Sequence, residues 1–201
     1  MIRSKLNRKI LIVYINGYGV PKGDYTKDQN LVRYINSILN FLDGMLDDVA
    51  DIIIYFVGGA TNPFRRHRTE AEVLRGIMVA NPAFTMFNRR GVHIDLICLQ
   101  DPLDGWEAVQ DFATALDRAG IADATVVMFC EDARRWRFRY IVSRMTKSRT
   151  YTVIPIDFDA GRTIMQWPVR MLEVVSAILS WNFPWFRDVE RRRRLRKIGR
   201  S

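Results

Sequence analysis

The sequence predicts a doubly wound α/β domain, with a mostly parallel, five-stranded sheet and helices on both faces. Three observations carry that expectation. Short β-branched runs alternate with longer stretches of helical period. One run plus one helical stretch repeats every ~30–40 residues, the length of a strand–helix unit. The runs Ile52-Ile53-Ile54-Tyr55-Phe56-Val57 and Thr125-Val126-Val127-Met128-Phe129 are apolar on both faces, as central parallel strands covered by helices above and below must be.

In chain order the strands fall at 9–15, 51–57, 92–99, 124–130 and 151–156, and the helices at 27–46, 69–80, 104–119, 133–146 and 164–180. Capping chemistry marks three helix starts. Thr26-x-x-Gln29, Thr69-x-x-Glu72 and Asp104-x-x-Glu107 each put an oxygen acceptor before a helix and a Glu or Gln three residues later. Such pairs satisfy backbone N–H groups left open in the first turn. Gly91 and Gly120 stand where a helix hands over to the next strand. No internal repeat or flexible linker interrupts the pattern, so residues 1–180 read as a single domain. Residues 181–201 read as a tail, aromatic first and then Arg-rich.

Composition removes several classes. With 201 residues and 48% hydrophobic side chains, the chain can build one core without staples and does not resemble a disordered protein. Its two cysteines, Cys98 and Cys130, sit near the ends of apolar runs. They read as reduced core residues, which points to a reducing compartment. The basic segment 1–9 precedes the apolar run 10–15, but that run is short for a secretory signal and Asn16-Gly17 follows without a cleavage-type segment. A buried strand accounts for it. No stretch reaches the ~20 apolar residues of a membrane-spanning helix, and the expected location is cytoplasmic.

The net charge of +9 is unevenly spread. From 187 to 201, seven arginines and one lysine face only Asp188 and Glu190, which makes +6 and leaves +3 for the rest of the chain. The excess is a tail, not a groove. Without a folded recognition motif in it, a nucleic-acid partner is not expected.

In an open parallel sheet, ligands bind beyond the carboxyl ends of the strands, where helix N-termini also point. The loops at 16–19, 58–68, 100–104, 131–135 and 157–161 meet that description, and glycines, arginines and carboxylates concentrate in them. Asn16-Gly17 ends the first strand, Gly58-Gly59 follows the second directly, and Gln100 follows the third. Glycine's access to positive φ would let the Gly58 and Gly59 N–H groups face an anion, with the Thr61 hydroxyl beside them. A Walker loop is excluded because no Gly-Lys-Ser/Thr follows, and there is no GxGxxG after the first strand.

Thr69 and Glu70 open the next helix as cap and dipole partner. Glu70 is also the candidate general base or ligand-orienting acid. Arg134 and Arg137 lie one turn apart at the start of the helix after the fourth strand. Arginine there opposes the helix dipole, a placement that an anionic ligand explains. Arg65, Arg66 and Arg68 on another loop of the same edge make a phosphate- or carboxylate-bearing ligand attractive.

Other chemistries lack a constellation. His67 sits among arginines and His93 within a strand, and no His/Cys/Asp spacing fits zinc. Asp101, Asp157 and Asp159 could together hold a divalent cation, although Asp in turns is the commoner reason for such residues; no metal site is assigned. Ser143 and Ser148 lack the strand–turn–helix setting of a nucleophilic serine.

This ordered set of strand-end motifs resembles the YdcF/SanA-like family of Rossmann-like domains. That family shows a strand ending in Gly-Gly, a Ser/Thr-Glu-Ala helix start, and a strand ending near a Glu before a helix with Thr and Asn. A further strand then leads into a His-x-x-Arg-Ala helix. The counterparts here are Gly58-Gly59-Ala60-Thr61 after the second strand, Thr69-Glu70-Ala71, Ile97-Cys98-Leu99-Gln100, and Arg134-x-x-Arg137 after residues 126–129. Order and spacing extend over roughly residues 9–175. The chain reads as a divergent member: Gln100 stands where the family has Glu, Gly105-Trp106-Glu107 replaces the Thr-x-x-Asn pattern, and Arg134 takes the place of the His. The resemblance implies a Rossmann-like fold, a nucleotide-like ligand and a link to bacterial envelope maintenance. A binding role survives the departures better than a catalytic one.

The last predicted helix carries Val169, Leu172, Val175, Ile178 and Leu179, and Trp181-Asn182-Phe183-Pro184-Trp185-Phe186 leads into the basic run. These aromatics are expected to pack on the body while the arginines are solvated. Aromatics beside arginines also suit an anionic membrane surface, contacted through Arg187 to Arg200. Two functions follow. The first is binding of, and action on, an anionic or nucleotide-like small molecule at the carboxyl edge of the sheet. Its ligand-binding residues are Asn16, Gly17, Gly58, Gly59, Thr61, Thr69, Gln100, Arg134 and Arg137, with Glu70 catalytic. The alternative is a non-catalytic module docked peripherally at the inner membrane face by its aromatic-basic tail. The first requires Gly59, Glu70 and Arg134 to converge on a shared cleft.

Overall fold

The computed structural model describes residues 9–17, 27–60, 68–102, 104–121, 124–145, 150–157 and 166–197. The elements run β1 (Lys9–Asn16), α1 (Gln29–Asp43), β2 (Val49–Val57), α2 (Glu70–Ala80), α3 (Pro82–Arg89), β3 (His93–Leu99), α4 (Gly105–Arg118), β4 (Thr125–Glu131), α5 (Arg135–Met145), β5 (Tyr151–Ile156), α6 (Gln166–Asn182) and α7 (Pro184–Lys197). The strands form one five-stranded sheet in the order β3-β2-β1-β4-β5, with every pairing parallel. The fold is therefore a Rossmann-like, doubly wound α/β fold, and its sheet is wholly rather than mostly parallel.

The centre of the sheet is the strand whose residues are apolar without interruption. Residues 11–15 of β1 are completely buried, between β2 on one side and β4 on the other. Successive side chains of a strand point to opposite faces. Leu11, Val13 and Ile15 accordingly join a core with Leu31 of α1, Ile77 of α2 and Phe84 of α3. Ile12 and Tyr14 join the other core, with Phe112 of α4, Phe138 of α5 and Ala177 of α6. Burying each large aliphatic side chain contributes about 1.5–3 kcal/mol. The edge strand β3 instead alternates, with His93, Asp95 and Ile97 exposed. His93 lies 3.7 Å from Asp51 and 3.9 Å from Asp95.

From β1 the chain winds outward through β2 to β3, and α4 then carries it back to β4 on the far side of β1. The paths from the carboxyl ends of β1 and β4 thus diverge. That is the switch point at which open α/β sheets place a crevice.

Capping follows the sequence at two of the three expected positions. Thr69 forms a complete capping box with Glu72, and Asp104 accepts from the Trp106 and Glu107 N–H groups, both at 2.8 Å. At α1 the cap is Asp28, not Thr26. Its Oδ1 accepts from Asn30 and Leu31 at 3.0 and 3.1 Å, and Thr26 lies outside the described residues. Gly91 and Gly120 take left-handed φ values of 73° and 64° after α3 and α4.

One element differs from expectation, and the C-terminal tail takes a defined form. The segment 82–89, read as part of a connection, is the short helix α3, with Pro82 at its first position. The segment 181–201, read as a tail, is helical over most of its length: α6 runs on to Asn182 and α7 covers Pro184–Lys197. Trp181 stacks on the buried Trp106 with ring centroids 5.2 Å apart, whereas Phe183 and Trp185 stay exposed, so the aromatic run packs on the body only in part. Arg191 bonds Glu107 of α4 at 2.8 Å, Arg187 approaches Asp104 at 3.8 Å, and Ser176 of α6 donates to Glu190 at 2.8 Å. These contacts fasten α7 to the body and engage part of its charge.

Candidate functional site

At the switch point, described residues of β1, β2, α2, α4, α5, α6 and α7, with the turns between them, line one cavity. Asn16 of β1 and the adjoining Gly17, Gly58 after β2, and Glu70 of α2 meet Arg134 and Arg137 at the start of α5. Asp104 and Gly105 at the head of α4, Glu173 of α6 and Arg194 of α7 complete the lining. The cavity holds about 90 Å³, room for a phosphate-sized group with its waters.

Glu70 is positioned by backbone and by glycine. Its N–H donates to the Gly59 carbonyl at 3.0 Å, and the Ala71 N–H donates to Gly58 at 3.2 Å, which ties the first turn of α2 to the end of β2. The Glu70 side chain is 9% exposed and lies against the bare Cα atoms of Gly17 and Gly58. A Cβ on Gly17 would fall 2.0 Å from Glu70 Oε2, and one on Gly58 would fall 2.8 Å from Glu70 Cβ. Gly58 also has a φ of 153°, which side-chain-bearing residues rarely adopt.

The expected role of the Gly58-Gly59 N–H groups is corrected here. Gly58 N–H donates to Leu99 at 3.0 Å, and Gly59 N–H donates to Pro102 at 2.8 Å. The chain leaving β3 runs alongside this turn and takes up both donors, so the pair supplies space for Glu70 rather than an anion cradle. Asn16 is likewise a positioning residue. Its Oδ1 accepts from the Tyr14 hydroxyl at 2.9 Å and its amide nitrogen donates to the Gly17 carbonyl at 3.0 Å. Burial pushes the Tyr14 phenol well above its usual value, with Cys130 and Glu70 adding to the effect, so Tyr14 stays a donor.

The cationic side is built by α5, α6 and α7. The Arg137 side chain is only 11% exposed and pairs with Glu173 through one nitrogen. Its other terminal nitrogen, Nη2, is buried with no hydrogen-bond partner among the described residues. Burial acts to raise the Glu173 carboxyl. The charge and hydrogen bond of Arg137, with Arg134 and Arg194 beyond, outweigh it and hold the carboxyl below its ordinary value. Arg134 is more exposed and stands 3.3 Å from Glu131. Among the described residues, three arginines thus face three acids in the lining, with Glu173 engaged by Arg137 and Asp104 by the α4 cap.

Cys130 ends the buried run of β4 beside this site. Burial, reinforced by Asp132, pushes its thiol up to about 12, so it remains a protonated core residue rather than a nucleophile.

Of the sequence-predicted residues, Asn16, Gly17, Gly58, Glu70, Arg134 and Arg137 come together in the cavity. Gly59 contributes its carbonyl to Glu70 without lining it. Thr69 and Gln100 meet instead on Glu72, which bonds Thr69 at 2.9 Å and Gln100 at 3.4 Å. Thr61, Arg65, Arg66, His67 and Asp159 lie outside the described residues. Among those described, no three His, Cys, Asp or Glu side chains cluster as a metal site. Sequence reasoning missed Asp104, Glu173 and Arg194 as members of the site. A usable signal existed for Arg194: Asp188 and Glu190 stand four residues before Arg192 and Arg194, the spacing of helical ion pairs. Comparison with known proteins adds no relative: no protein-family model and no curated protein matches this chain.

Proposed function

We propose that this cleft binds an anionic, nucleotide-like small molecule, with its phosphate or carboxylate held by Arg134 and Arg137 and with Arg194 beside them. Arg137 carries the reading. It is a buried guanidinium in the lining of a cavity, with one charged donor unpaired among the described residues. Leaving such a donor buried and unmet costs about 1–3 kcal/mol or more. A phosphate or carboxylate oxygen matches it in charge and in the planar geometry of the guanidinium.

Three further considerations support the same reading. The cavity sits at the switch point of a Rossmann-like sheet, where such sheets bind nucleotides. Its volume of about 90 Å³ suits the anionic group, leaving the rest of the ligand outside the enclosed part. The resemblance to YdcF/SanA-like domains belongs to the proposal too, with Arg134 standing where that family has its His. Glu70, in the same lining, is then the group to orient or deprotonate a ligand hydroxyl.

A thermal-shift screen with nucleoside phosphates, sugar phosphates and small polycarboxylates tests the proposal. At a hundredfold excess over its Kd, a cognate ligand should raise the melting temperature by about 5–10 °C. If no compound of these classes raises it, the reading fails.

A further inference from the structure

A wider groove lies between α5 and α6. It measures about 760 Å³ and, among the described residues, shares no lining with the cleft. Trp136 on α5 and Trp167 and Met171 on α6 line it, and they are 49%, 69% and 50% exposed. The apolar stripe continues along α6 through Val175 and Ile178, at the i+4 and i+7 positions from Met171. The opposite side of the same helix is the buried one, with Ala177 and Ser180. This helix therefore buries its Ala177–Ser180 side and turns an apolar face outward. A contiguous exposed apolar surface of this kind marks a contact.

The charge pattern narrows what makes that contact. Among the described residues, the charged side chains lining the groove are Arg135, Arg139 and Arg170, and no carboxylate lines it. Asp132 holds Arg135 at 3.2 Å and also pairs with Arg170. The guanidinium groups of Arg135 and Arg139 pack 5.1 and 5.9 Å from the Trp136 ring, and Arg144 packs 5.9 Å from Trp181. A second copy of the chain across a two-fold axis would set this cationic rim against itself and bring no acid to meet it. Of the five tryptophans, Trp136, Trp167, Trp181 and Trp185 are 43–69% exposed on these last helices, and Trp106 alone is buried. Tryptophan and arginine together are the side chains that settle at the boundary between headgroups and acyl chains. No helix among the described residues is long and apolar enough to cross a membrane.

We propose that the α5–α6 face docks on the surface of an anionic lipid bilayer. Trp136, Trp167 and Met171 seat among the headgroups, and Arg139 and Arg144 meet lipid phosphates. This places the contact on the body rather than on the arginines of α7, where Arg187 and Arg191 face Asp104 and Glu107. It does not depend on what the cleft binds.

Sedimentation of the full chain with phosphatidylcholine vesicles, alone or mixed with phosphatidylglycerol, tests it. Binding to the mixed vesicles only is expected. The double substitution Trp167→Glu/Met171→Glu should abolish that binding, and Arg139→Glu should weaken it about fivefold or more. Arg192→Glu/Arg193→Glu on α7 should preserve most of it. All these positions are exposed, and unchanged melting temperatures verify folding. Failure to bind mixed vesicles, binding that survives the Trp167/Met171 change, or binding lost only in the α7 variant would each overturn the proposal. A dimer split by Met171→Glu in the absence of vesicle binding would overturn it as well, in favour of a second copy.

Discussion

Glu70 occupies the space that a side chain on Gly17 would need, since a Cβ there would lie 2.0 Å from Glu70 Oε2 and 2.9 Å from Glu70 Cβ. Glycine at the end of β1 is thus a condition for the carboxylate's position, although 53 residues separate the two. Gly17→Ala should destabilise the fold by about 1–3 kcal/mol, the usual cost of overpacking. Much of that cost should vanish in a Glu70→Ala background, because the worst contact is with the carboxylate. The remainder comes from the Val57 carbonyl and from the Cβ of residue 70, which alanine retains; each would lie 2.9 Å away. A double-mutant cycle by urea unfolding measures the coupling; additive effects would mean that Glu70 does not fill this slot.

Arg137 and Glu173 make the acid limb of stability predictable. The Glu173 carboxyl is held below its ordinary value in the folded protein. The pair therefore contributes stability above the unfolded value, about 4.3, and that contribution is lost as pH falls through the folded value. In Arg137→Gln the main opposing charge is gone and burial raises the carboxyl instead. Acid destabilisation should then set in at higher pH than in the wild type. Melting temperature against pH measures this, and superimposable acid limbs would contradict it.

Cys130 should resist alkylation. With its thiol pushed up to about 12 and its side chain wholly buried, the thiolate fraction at pH 8 is about a thousandfold below that of a free cysteine. Labelling followed by mass spectrometry should modify Cys98, which is half-buried, before Cys130. Modification of Cys130 in the folded protein at the rate of a model thiol would refute the burial argument.

The caps that aim α2 and α4 at the cleft should be separable from its chemistry. Thr69→Ala removes the capping box and should cost about 1 kcal/mol. Asp104→Ala removes two bonds from a buried cap and should cost about 1–2 kcal/mol, whereas Asp104→Asn keeps an acceptor and should cost less. Chemical denaturation ranks the three variants, and equal losses at Asp104→Ala and Asp104→Asn would assign the role to its charge instead.

What the sequence made legible is what local pattern controls. The uninterrupted apolar run in β1 and the runs around Ile54 and Val127 mark central strands because both their faces are covered, and Thr69 and Asp104 cap because their partners lie within three residues. The helix α3 escaped notice because Asn81-Pro82 looks like a break. It is a start as well: Asn81 Oδ1 accepts from Ala83 N–H at 3.0 Å, and proline is well suited to a first helical position. The Gly58 and Gly59 donors were misjudged because their acceptors, Leu99 and Pro102, arrive from another strand's loop. Glu173 and Arg194 are brought to the cleft by tertiary packing alone; the i,i+4 acid–arginine spacing around Arg194 marks α7 as a helix, but it does not say where that helix docks.

Isothermal titration of the best phosphorylated ligand from the thermal screen tests the central claim most directly, with the wild type compared against Arg134→Gln and Arg139→Gln. Arg134, just before α5, lines the cleft, whereas Arg139 within α5 lines the other groove. The Arg134 change should raise the Kd at least about tenfold, the loss of one charge-assisted hydrogen bond, while the Arg139 change leaves it unaltered. Equal affinity in all three proteins would place the ligand elsewhere and contradict the account.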